Sequence, residues 1–219
     1  MQYLNEKKFD FFKIFDMMKS IRNRMRWKRM KPENQYQALF LKIEELLSAK
    51  DRIVVAIDGG AASGKTTLAD MLADHYGASI VHMDDFFLRP EQRTPARFAE
   101  AGGNLDRERF MEEVIPFIGK KASFSYRIFD CSKMELFGTA EISDSALVIV
   151  EGSYSHHPAF ADAFDLRVFL RVDEEERTRR IIARNGARSE IFFARWIPLE
   201  NRYFEAFRIE EKADLVIRG

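Results

Sequence analysis

The first fifty residues carry apolar side chains at helical spacing. The stripe between residues 4 and 29 consists of Phe11, Ile14, Phe15, Met18, Ile21 and Met25. Pro32 is expected to end that helix, and a second stripe follows at Leu39, Ile43, Leu46 and Leu47. Both patterns are typical of amphipathic helices that pack against a larger body. We therefore predict an N-terminal helical extension over residues 1–50.

From residue 53 onward, short apolar runs alternate with helical stretches. The runs are IVVAI (53–57), SIVHM (79–83), ALVIV (146–150), LRVFL (166–170) and DLVI (214–217). The helical stretches lie around 65–75, 106–119, 173–184 and 196–209. Strands that are apolar throughout are typical of a parallel sheet covered on both faces. The pattern predicts one α/β domain over residues 51–219, with any ligand beyond the carboxyl ends of the strands.

The stretch AIDGGAASGKTTLA, residues 56–69, matches the phosphate-loop pattern G-x-x-x-x-G-K-[ST]. It follows a predicted strand and opens a predicted helix, which distinguishes it from a glycine-rich turn. Loop N–H groups can turn toward phosphate oxygens, Lys65 is expected at the β- and γ-phosphates, and the Thr66 hydroxyl is expected at Mg²⁺. The predicted site for ATP and Mg²⁺ comprises Gly59, Gly60, Ala61, Ala62, Ser63, Gly64, Lys65, Thr66 and Thr67. Guanine-reading Asn-Lys-x-Asp and transporter Leu-Ser-Gly-Gly signatures are absent, so a kinase of a small metabolite is favoured.

Carboxylates end two of the predicted strands. VHMDDFF places Asp84 and Asp85 after the second strand, where one of them is expected to accept the proton of a hydroxyl acceptor. We choose Asp84, with Asp85 as the competitor, since neighbouring side chains point to opposite faces. Glu151 follows the third strand, where it is expected to help hold Mg²⁺. The alternatives are turn-capping aspartates and a Glu151 paired with an arginine.

A helix rich in arginine is predicted after the fourth strand, in VDEEERTRRIIARNGAR. Arg177, Arg180 and Arg184 share one face, and such a face can close as a lid over transferring phosphates. Arg180 and Arg184 are expected to neutralise charge during transfer. Arg177 is expected to belong to a solvated face instead. Glu174 precedes Arg177 by three residues and Glu176 precedes Arg180 by four, and both spacings favour ion pairs on a helix surface.

Charge and composition narrow the range of partners. Lysine plus arginine equals aspartate plus glutamate over the 219 residues, but residues 1–31 carry ten basic against three acidic residues. The main body is therefore acidic, unlike that of a nucleic-acid-binding protein, and no apolar run approaches the length of a membrane span. The single cysteine and the absence of a signal-peptide pattern in MQYLNEKKFD predict a cytoplasmic protein. The spacing of the histidines fits no zinc-binding pattern. The role of the basic segment, residues 1–31, and the oligomeric state of the protein stay open.

These motifs together resemble the uridine kinase/phosphoribulokinase family of P-loop kinases, over about Ile53 to Ile217. The resemblance rests on GGAASGKTT, HMDDFF, NLDRERF, YRIFDCSKMEL, VIVEGSYS and FLRVDEEERTRRIIARNG. It implies a three-layer fold with a mostly parallel five-stranded sheet, flanking helices and an arginine-bearing lid. It also implies transfer of the γ-phosphoryl group of ATP to a primary hydroxyl, which in uridine kinases is the ribose 5′-OH.

The resemblance also implies roles for residues of an acceptor pocket. Asp84 aligns with the acceptor-activating aspartate, Asp106 with an acid that holds ribose hydroxyls, and Tyr126 with an aromatic residue of the nucleoside pocket. Asp106 is equally suited to cap a helix, and Tyr126 to lie half-buried in a strand or hairpin. The chain departs from uridine kinases at three pocket positions: Phe87, Arg127 and Cys131.

These departures keep several acceptors open besides a nucleoside such as uridine or cytidine. Pantothenate and nicotinamide riboside are alternatives, and so is a sugar phosphate. A phosphorylated acceptor would need extra cations, for which the candidates are Arg89, Arg93, Arg97 and Arg127. A further alternative is a nucleotide-binding regulatory protein without catalysis, with residues 1–31 as a partner-binding arm.

Overall fold

The computed structural model describes residues 34–218. The chain divides into two units, residues 1–38 and residues 39–219. Of the first unit, the described part includes the 3₁₀ turn Asn34–Tyr36, while the helix predicted over residues 4–29 lies outside the described residues. The division of the chain into an extension and a kinase domain therefore stays a prediction.

The part of the chain that the structure describes contains seven α-helices and seven strands, which alternate strictly only as far as residue 82. The helices are α1 Gln37–Ala49, α2 Lys65–Tyr76, α3 Pro95–Ala99, α4 Arg107–Glu113, α5 Ile115–Ile118, α6 Glu174–Asn185 and α7 Ile197–Phe207. The strands are β1 Ile53–Gly59, β2 Ser79–His82, β3 Phe124–Asp130, β4 Glu135–Ile142, β5 Leu147–Glu151, β6 Leu166–Arg171 and β7 Leu215–Arg218. Within residues 34–218 no helix combines the length and apolarity needed to cross a bilayer.

Five strands form one parallel sheet in the order β2-β5-β1-β6-β7. Every residue of β1 and β5 is buried, which explains why these runs are apolar on both faces. Each predicted strand is present, so the predicted fold class is confirmed. The strand order makes the carboxyl ends of β2, β5 and β1 neighbours, and those ends carry the chemistry described below.

The antiparallel hairpin of β3 and β4 stands apart from this sheet. Side chains of β3 alternate between covered and exposed positions, and Tyr126 is one of the buried ones. The single helix predicted over residues 106–119 is wrong in detail, because α4 ends at Glu113 and α5 restarts at Ile115. Pro116 lies in the first turn of α5, where its missing N–H is tolerated, whereas inside one continuous helix it would remove a hydrogen bond.

A hydrophobic core lies between the sheet, the hairpin and α4. Its aromatic members are Phe86, Phe110, Tyr126, Tyr154, Phe160, Phe169 and Tyr203. On α1, Leu39 and Ile43 are fully buried, which confirms the apolar face predicted for that helix. The ring of Phe40 packs edge-on against the ring of His75 of α2, with 5.3 Å between the ring centroids.

Candidate active site

Three neighbouring strand ends bring the polar residues of the site together. His82 at the end of β2 is in register with Glu151 at the end of β5, and Ile57 near the end of β1 pairs with Glu151 from the other side. The phosphate loop leaves β1 at Gly59, and the 3₁₀ turn Met83–Phe86 leaves β2. The site is therefore built at the carboxyl edge of the sheet, as predicted for open parallel sheets.

The phosphate loop has the backbone that its glycines predict. Gly59 adopts φ +147°, and a Cβ there would lie 2.4 Å from the carbonyl oxygen of Leu170, so only glycine fits at this position. Ala62 takes φ 61°, an unfavourable value for a residue with a Cβ, and such outliers concentrate at functional sites. Gly64 precedes the first turn of α2, whose N–H groups and dipole favour an anion.

Donor groups in the loop suit a triphosphate. The Lys65 ammonium donates to the carbonyl oxygens of Gly59 and Gly60, each at 2.9 Å, which leaves its third N–H for a phosphate oxygen. The Ser63 hydroxyl is buried and has no partner among the described residues. A buried polar group without a partner is costly, so these atoms fit a bound nucleotide phosphate.

Side chains of the helices α6 and α7 contact the phosphate loop and hold it in place. Glu200 of α7 is 5% exposed, and its carboxylate accepts hydrogen bonds from the Ala61 N–H at 3.0 Å, from the Ser153 hydroxyl at 2.7 Å and from the Arg177 guanidinium. Arg177 lies so close to the loop that a Cβ at Gly60 would meet its Cζ at 2.9 Å. Arg177 is thus not the solvated helix residue that the sequence predicted, because its side chain is only 12% exposed.

Oxygen ligands suited to Mg²⁺ lie beside Thr66. Its hydroxyl donates to Glu151 Oε2 at 3.2 Å, and Glu151 Oε1 lies 2.7 Å from His82 Nδ1. The hydrogen bond to Glu151 is the main cause that raises the pKa of His82. A hydroxyl and a carboxylate at this spacing are the hard oxygen donors that Mg²⁺ prefers, so the residues fit the expected ion.

Asp84 and Asp85 have different surroundings. Asp84 is exposed where it lines the cavity, and the concave protein surface around it raises its pKa, first by limiting its hydration and then through the charge of Glu151. Asp85 instead accepts a hydrogen bond from the Tyr126 hydroxyl at 2.9 Å. The pKa of Asp85 is also raised, again mainly by burial. Of the two, Asp84 is placed to meet an acceptor in the cavity.

The arginine helix α6 lies along the same cavity. Arg180 and Arg184 both line it, and Arg180 donates to the Ala62 carbonyl at 3.3 Å and to Glu176 at 2.6 Å. The Glu176–Arg180 pair, which belonged to the alternative of a solvated helix face, is present, and it leaves Arg180 in contact with the loop. Arg184 lies 5.8 Å from the ring centroid of Phe192. The two predicted charge-neutralising arginines thus reach the cavity from one side.

The cavity has a volume of about 790 Å³ and joins the phosphate loop to an apolar end. The apolar end is lined by Phe87, Leu88, Phe98, Met134, Phe192 and Trp196. The cavity is also lined by Arg93, Asn104 and Cys131. Asn104 lies beside Tyr154, and burial is the main cause that raises the pKa of that tyrosine. A large apolar pocket with a few convergent polar groups is typical of a small-molecule site.

Three residues predicted for the acceptor pocket lie elsewhere. Asp106 is fully buried, caps α4 through the Arg109 N–H, and accepts from Arg89 Nε at 3.1 Å. Tyr126 is 2% exposed and faces Asp85. Arg127 is exposed and paired with Glu113. The structure therefore brings Asp84 and Phe87 to the cavity, and not Asp106, Tyr126 or Arg127.

The sequence analysis did not identify two buried carboxylates near the site, those of Glu200 and Asp58. Glu200 shares a helix face with Tyr203, Phe204 and Phe207, so an acid on an apolar stripe was the available signal. Asp58 lies inside the otherwise apolar β1 and accepts from the Tyr203 hydroxyl at 2.8 Å and the His156 N–H at 3.0 Å. Both carboxylates tie the loop and its flanks to α7.

Comparisons with known proteins bear on the fold and on the class of protein. No family model matches the chain. A uridine kinase of Chlamydia pneumoniae is 23% identical over 186 residues, covering 76% of this chain and 82% of that protein. The structure of a "possible uridine kinase" from Bacillus stearothermophilus superposes with a TM-score of 0.60 at 21% identity, covering 83% of this chain and 100% of that one. A candidate fructose transport system kinase from Silicibacter sp. TM1040 has the same TM-score at 23% identity, covering 82% and 97%.

The relatives differ in the acceptor that their names imply, so they leave the acceptor of this chain undetermined. All three are named as kinases, and the two solved structures share the fold of this chain. These findings support a phosphotransferase, and they confirm the resemblance that the motifs indicated: this chain is similar in sequence to uridine kinases and has the fold of P-loop kinases.

Proposed function

We propose that this protein uses Mg-ATP to phosphorylate a primary hydroxyl of a small molecule, and that the acceptor is a nucleoside such as uridine or cytidine. The observation that carries the proposal is one cavity of about 790 Å³ that joins the phosphate loop, Asp84 and an aromatic end. We place the reaction in the cytoplasm, because the single cysteine leaves no intrachain disulfide to need an oxidising compartment.

Each residue of the site has a part in this reaction. Asp84 accepts the proton of the acceptor hydroxyl as its oxygen attacks the γ-phosphorus, and the bond to the β–γ bridging oxygen breaks to release ADP. Lys65 and the loop N–H groups hold the transferring phosphates, while Arg180 and Arg184 neutralise the charge that develops. Thr66 and Glu151 would hold Mg²⁺, whose charge offsets that of the phosphates when it is bound. Most of the rate comes from positioning and electrostatics.

A phosphorylated acceptor is less well supported by the charges near the cavity. Arg89 is paired with Asp106, Arg97 with Glu108 and Arg127 with Glu113. Arg93 remains at the cavity wall, where it also donates to the Leu88 carbonyl at 2.9 Å. One partly engaged arginine is a weak site for a phosphate dianion, which usually needs several donors.

The test is ATP consumption with Mg²⁺ against a panel of nucleosides, sugar phosphates, pantothenate and nicotinamide riboside. Turnover with uridine or cytidine is expected, and Asp84→Asn should lower kcat by about 10²- to 10⁴-fold while ATP still binds. Asp85→Asn is the matched control, because that neighbouring carboxylate is held by Tyr126 outside the cavity. Equal losses in the two variants, or turnover with sugar phosphates alone, would overturn the assignment.

A further inference from the structure

Asn104 is a buried amide in the wall of the cavity. Its side chain is one of those that line the cavity, and the residue is only 3% exposed. The Oδ1 atom has no hydrogen-bond partner among the described residues. A buried amide oxygen without a partner lowers stability, and such atoms are rare in folded proteins. The atom therefore fits a hydrogen-bond donor that a bound molecule supplies.

The backbone holds Asn104 next to the segment that carries the proposed base. Phe87 and Leu105 form an antiparallel bridge. Beside that bridge, the Leu88 N–H donates to the Asn104 carbonyl oxygen at 3.2 Å. The paired segment follows directly after the turn Met83–Phe86. The Asn104 amide thus has a fixed position relative to the turn, and it needs no large rearrangement to contact an acceptor in the cavity.

Tyr154 contacts the nitrogen of the same amide. Burial raises the pKa of Tyr154, and a hydrogen bond with the Asn104 side chain acts in the opposite direction. A hydrogen bond lowers the pKa of a phenol when it favours the phenolate, so the amide N–H donates and the phenolic oxygen accepts. The Tyr154 backbone takes φ 77°, and strain of this kind concentrates at functional sites. The amide oxygen is therefore the atom that is left for a ligand.

Arg93 supplies donors at the same end of the cavity. Its Nε donates to the Leu88 carbonyl oxygen at 2.9 Å, so the backbone of Leu88 contacts both Arg93 and Asn104. Unlike the three paired arginines named above, Arg93 forms no ion pair within residues 34–218. The guanidinium has further N–H groups besides Nε, and these can donate to a molecule in the cavity that Arg93 lines.

A carbonyl oxygen near a guanidinium requires a group that both donates and accepts hydrogen bonds. A carboxylate or a phosphate could bind Arg93, but it has no hydrogen to donate to Asn104 Oδ1 and would leave that oxygen unpaired. An edge on which an N–H group adjoins a hydrogen-bond acceptor satisfies both residues. Uracil has such an edge at N3–H and its flanking carbonyl groups, and cytosine has one at its amino group and N3.

We propose that Asn104 and Arg93 form a base-edge pair that recognises the phosphoryl acceptor. Asn104 Oδ1 accepts a hydrogen bond from a ring or amino N–H of the base, and Arg93 donates to the neighbouring carbonyl oxygen or ring nitrogen. The inference rests on the proposed function and narrows its acceptor to nucleosides whose base has an N–H group beside a hydrogen-bond acceptor. Uridine and cytidine both meet this requirement, whereas 3-methyluridine does not.

Two methylated nucleosides separate hydrogen bonding from size. 3-Methyluridine lacks the N3–H, while 5-methyluridine has the same extra methyl group and keeps the N3–H. The kcat/KM for 3-methyluridine should be about 10- to 100-fold lower than that for uridine, because the buried Asn104 oxygen stays unpaired when this nucleoside binds. The loss with 5-methyluridine should be smaller. Equal kcat/KM for uridine and 3-methyluridine, or equal losses with the two methylated nucleosides, would overturn the proposal.

Asn104→Leu removes the amide oxygen and keeps a side chain of similar size. In this variant the kcat/KM for uridine should fall by about 10- to 100-fold, and the preference for uridine over 3-methyluridine should disappear, because neither nucleoside then meets the amide oxygen. If Asn104 were merely structural, both rates would fall and the preference would remain, which would contradict the pair. Asn201→Leu is the matched control and should keep the preference, since Asn201 is an exposed residue of α7.

Arg93→Met tests the second member of the pair. The loss of its N–H groups should raise the KM for uridine by about 10-fold, while the KM for ATP stays unchanged. An unchanged KM for uridine would overturn the pair. Arg93 is partly exposed, so this variant decides the matter if Asn104→Leu fails to fold.

Calorimetric titration of nucleosides in the presence of Mg-ADP separates this inference from the proposed function. Tighter binding of uridine than of 3-methyluridine, without turnover on any acceptor, would reject the kinase assignment and support the base-edge pair. Turnover of both nucleosides with equal kcat/KM would reject the pair and leave the kinase assignment intact.

Discussion

Replacing Glu200 by alanine should destabilise the folded protein strongly. The carboxylate is 5% exposed and meets three donors that come from separate parts of the chain: the Ala61 N–H, the Ser153 hydroxyl and the Arg177 guanidinium. Alanine would leave all three without this acceptor. Arg177 cannot move freely into water, because its side chain is only 12% exposed and lies against Gly60.

The size of the effect follows from the burial of the pair. Removing one partner of a buried ion pair costs about 3–5 kcal/mol, because the other charge is left uncompensated. The two neutral hydrogen bonds are part of the same network and are not added separately. With a urea m value of about 2 kcal/mol per M, the midpoint of unfolding should fall by about 1.5–2.5 M.

Equilibrium urea unfolding of a double-mutant cycle is the appropriate assay. Glu200→Ala, Arg177→Ala and the double variant should show a coupling of about 1–3 kcal/mol, because the second change removes the charge that the first one stranded. Glu205→Ala is the control, since this exposed residue of the same helix should change stability by less than about 0.5 kcal/mol. A coupling within error of zero, with Glu200→Ala no worse than the control, would refute the reasoning.

Two further predictions concern protonation and backbone strain. Limited hydration, and then the charge of Glu151, raise the pKa of Asp84 above its ordinary value. The deprotonated carboxylate accepts the proton, so kcat/KM for the acceptor should fall as the pH falls through that raised pKa. A pH–rate profile whose acid limb lies at an ordinary aspartate pKa would contradict this. Gly59→Ala should cost at least about 2 kcal/mol, from left-handed strain plus a clash with the Leu170 carbonyl. Gly77→Ala, left-handed but in open space, should cost about 1 kcal/mol, so equal losses of thermal stability would contradict the clash.

The sheet and the loop could be predicted because their signals are local. Strands such as Ile53–Gly59 and Leu147–Glu151 are buried on both faces, so their apolar runs appear directly in the sequence. The phosphate loop is contiguous, and its glycines are required by backbone angles within the same few residues. The placement of Asp84 and Glu151 at strand ends followed from the same runs, since each run stops at a carboxylate.

The acceptor end was less predictable because its contacts join residues far apart in the chain. Asp106 and Tyr126 fit a nucleoside pocket by alignment, yet Arg89 and Asp85 engage their polar atoms. A helix-capping or hairpin role has the same local signal as a binding role, so the sequence could not choose between them. The partner of each polar group is decided by packing.

The sequence by itself determined the five strands of the parallel sheet, the phosphate loop and the edge of the sheet where the chemistry is expected. The tertiary structure alone decided that Glu200 accepts hydrogen bonds from Ala61 and Arg177, and that Trp196 lies beside Phe87. The physical reason is that periodicity shows which face of an element is buried, whereas the neighbours on that face depend on how whole elements pack. A buried charge or a ring takes whichever partner the packing brings within reach, and that choice sets the stability of the loop and the shape of the acceptor pocket.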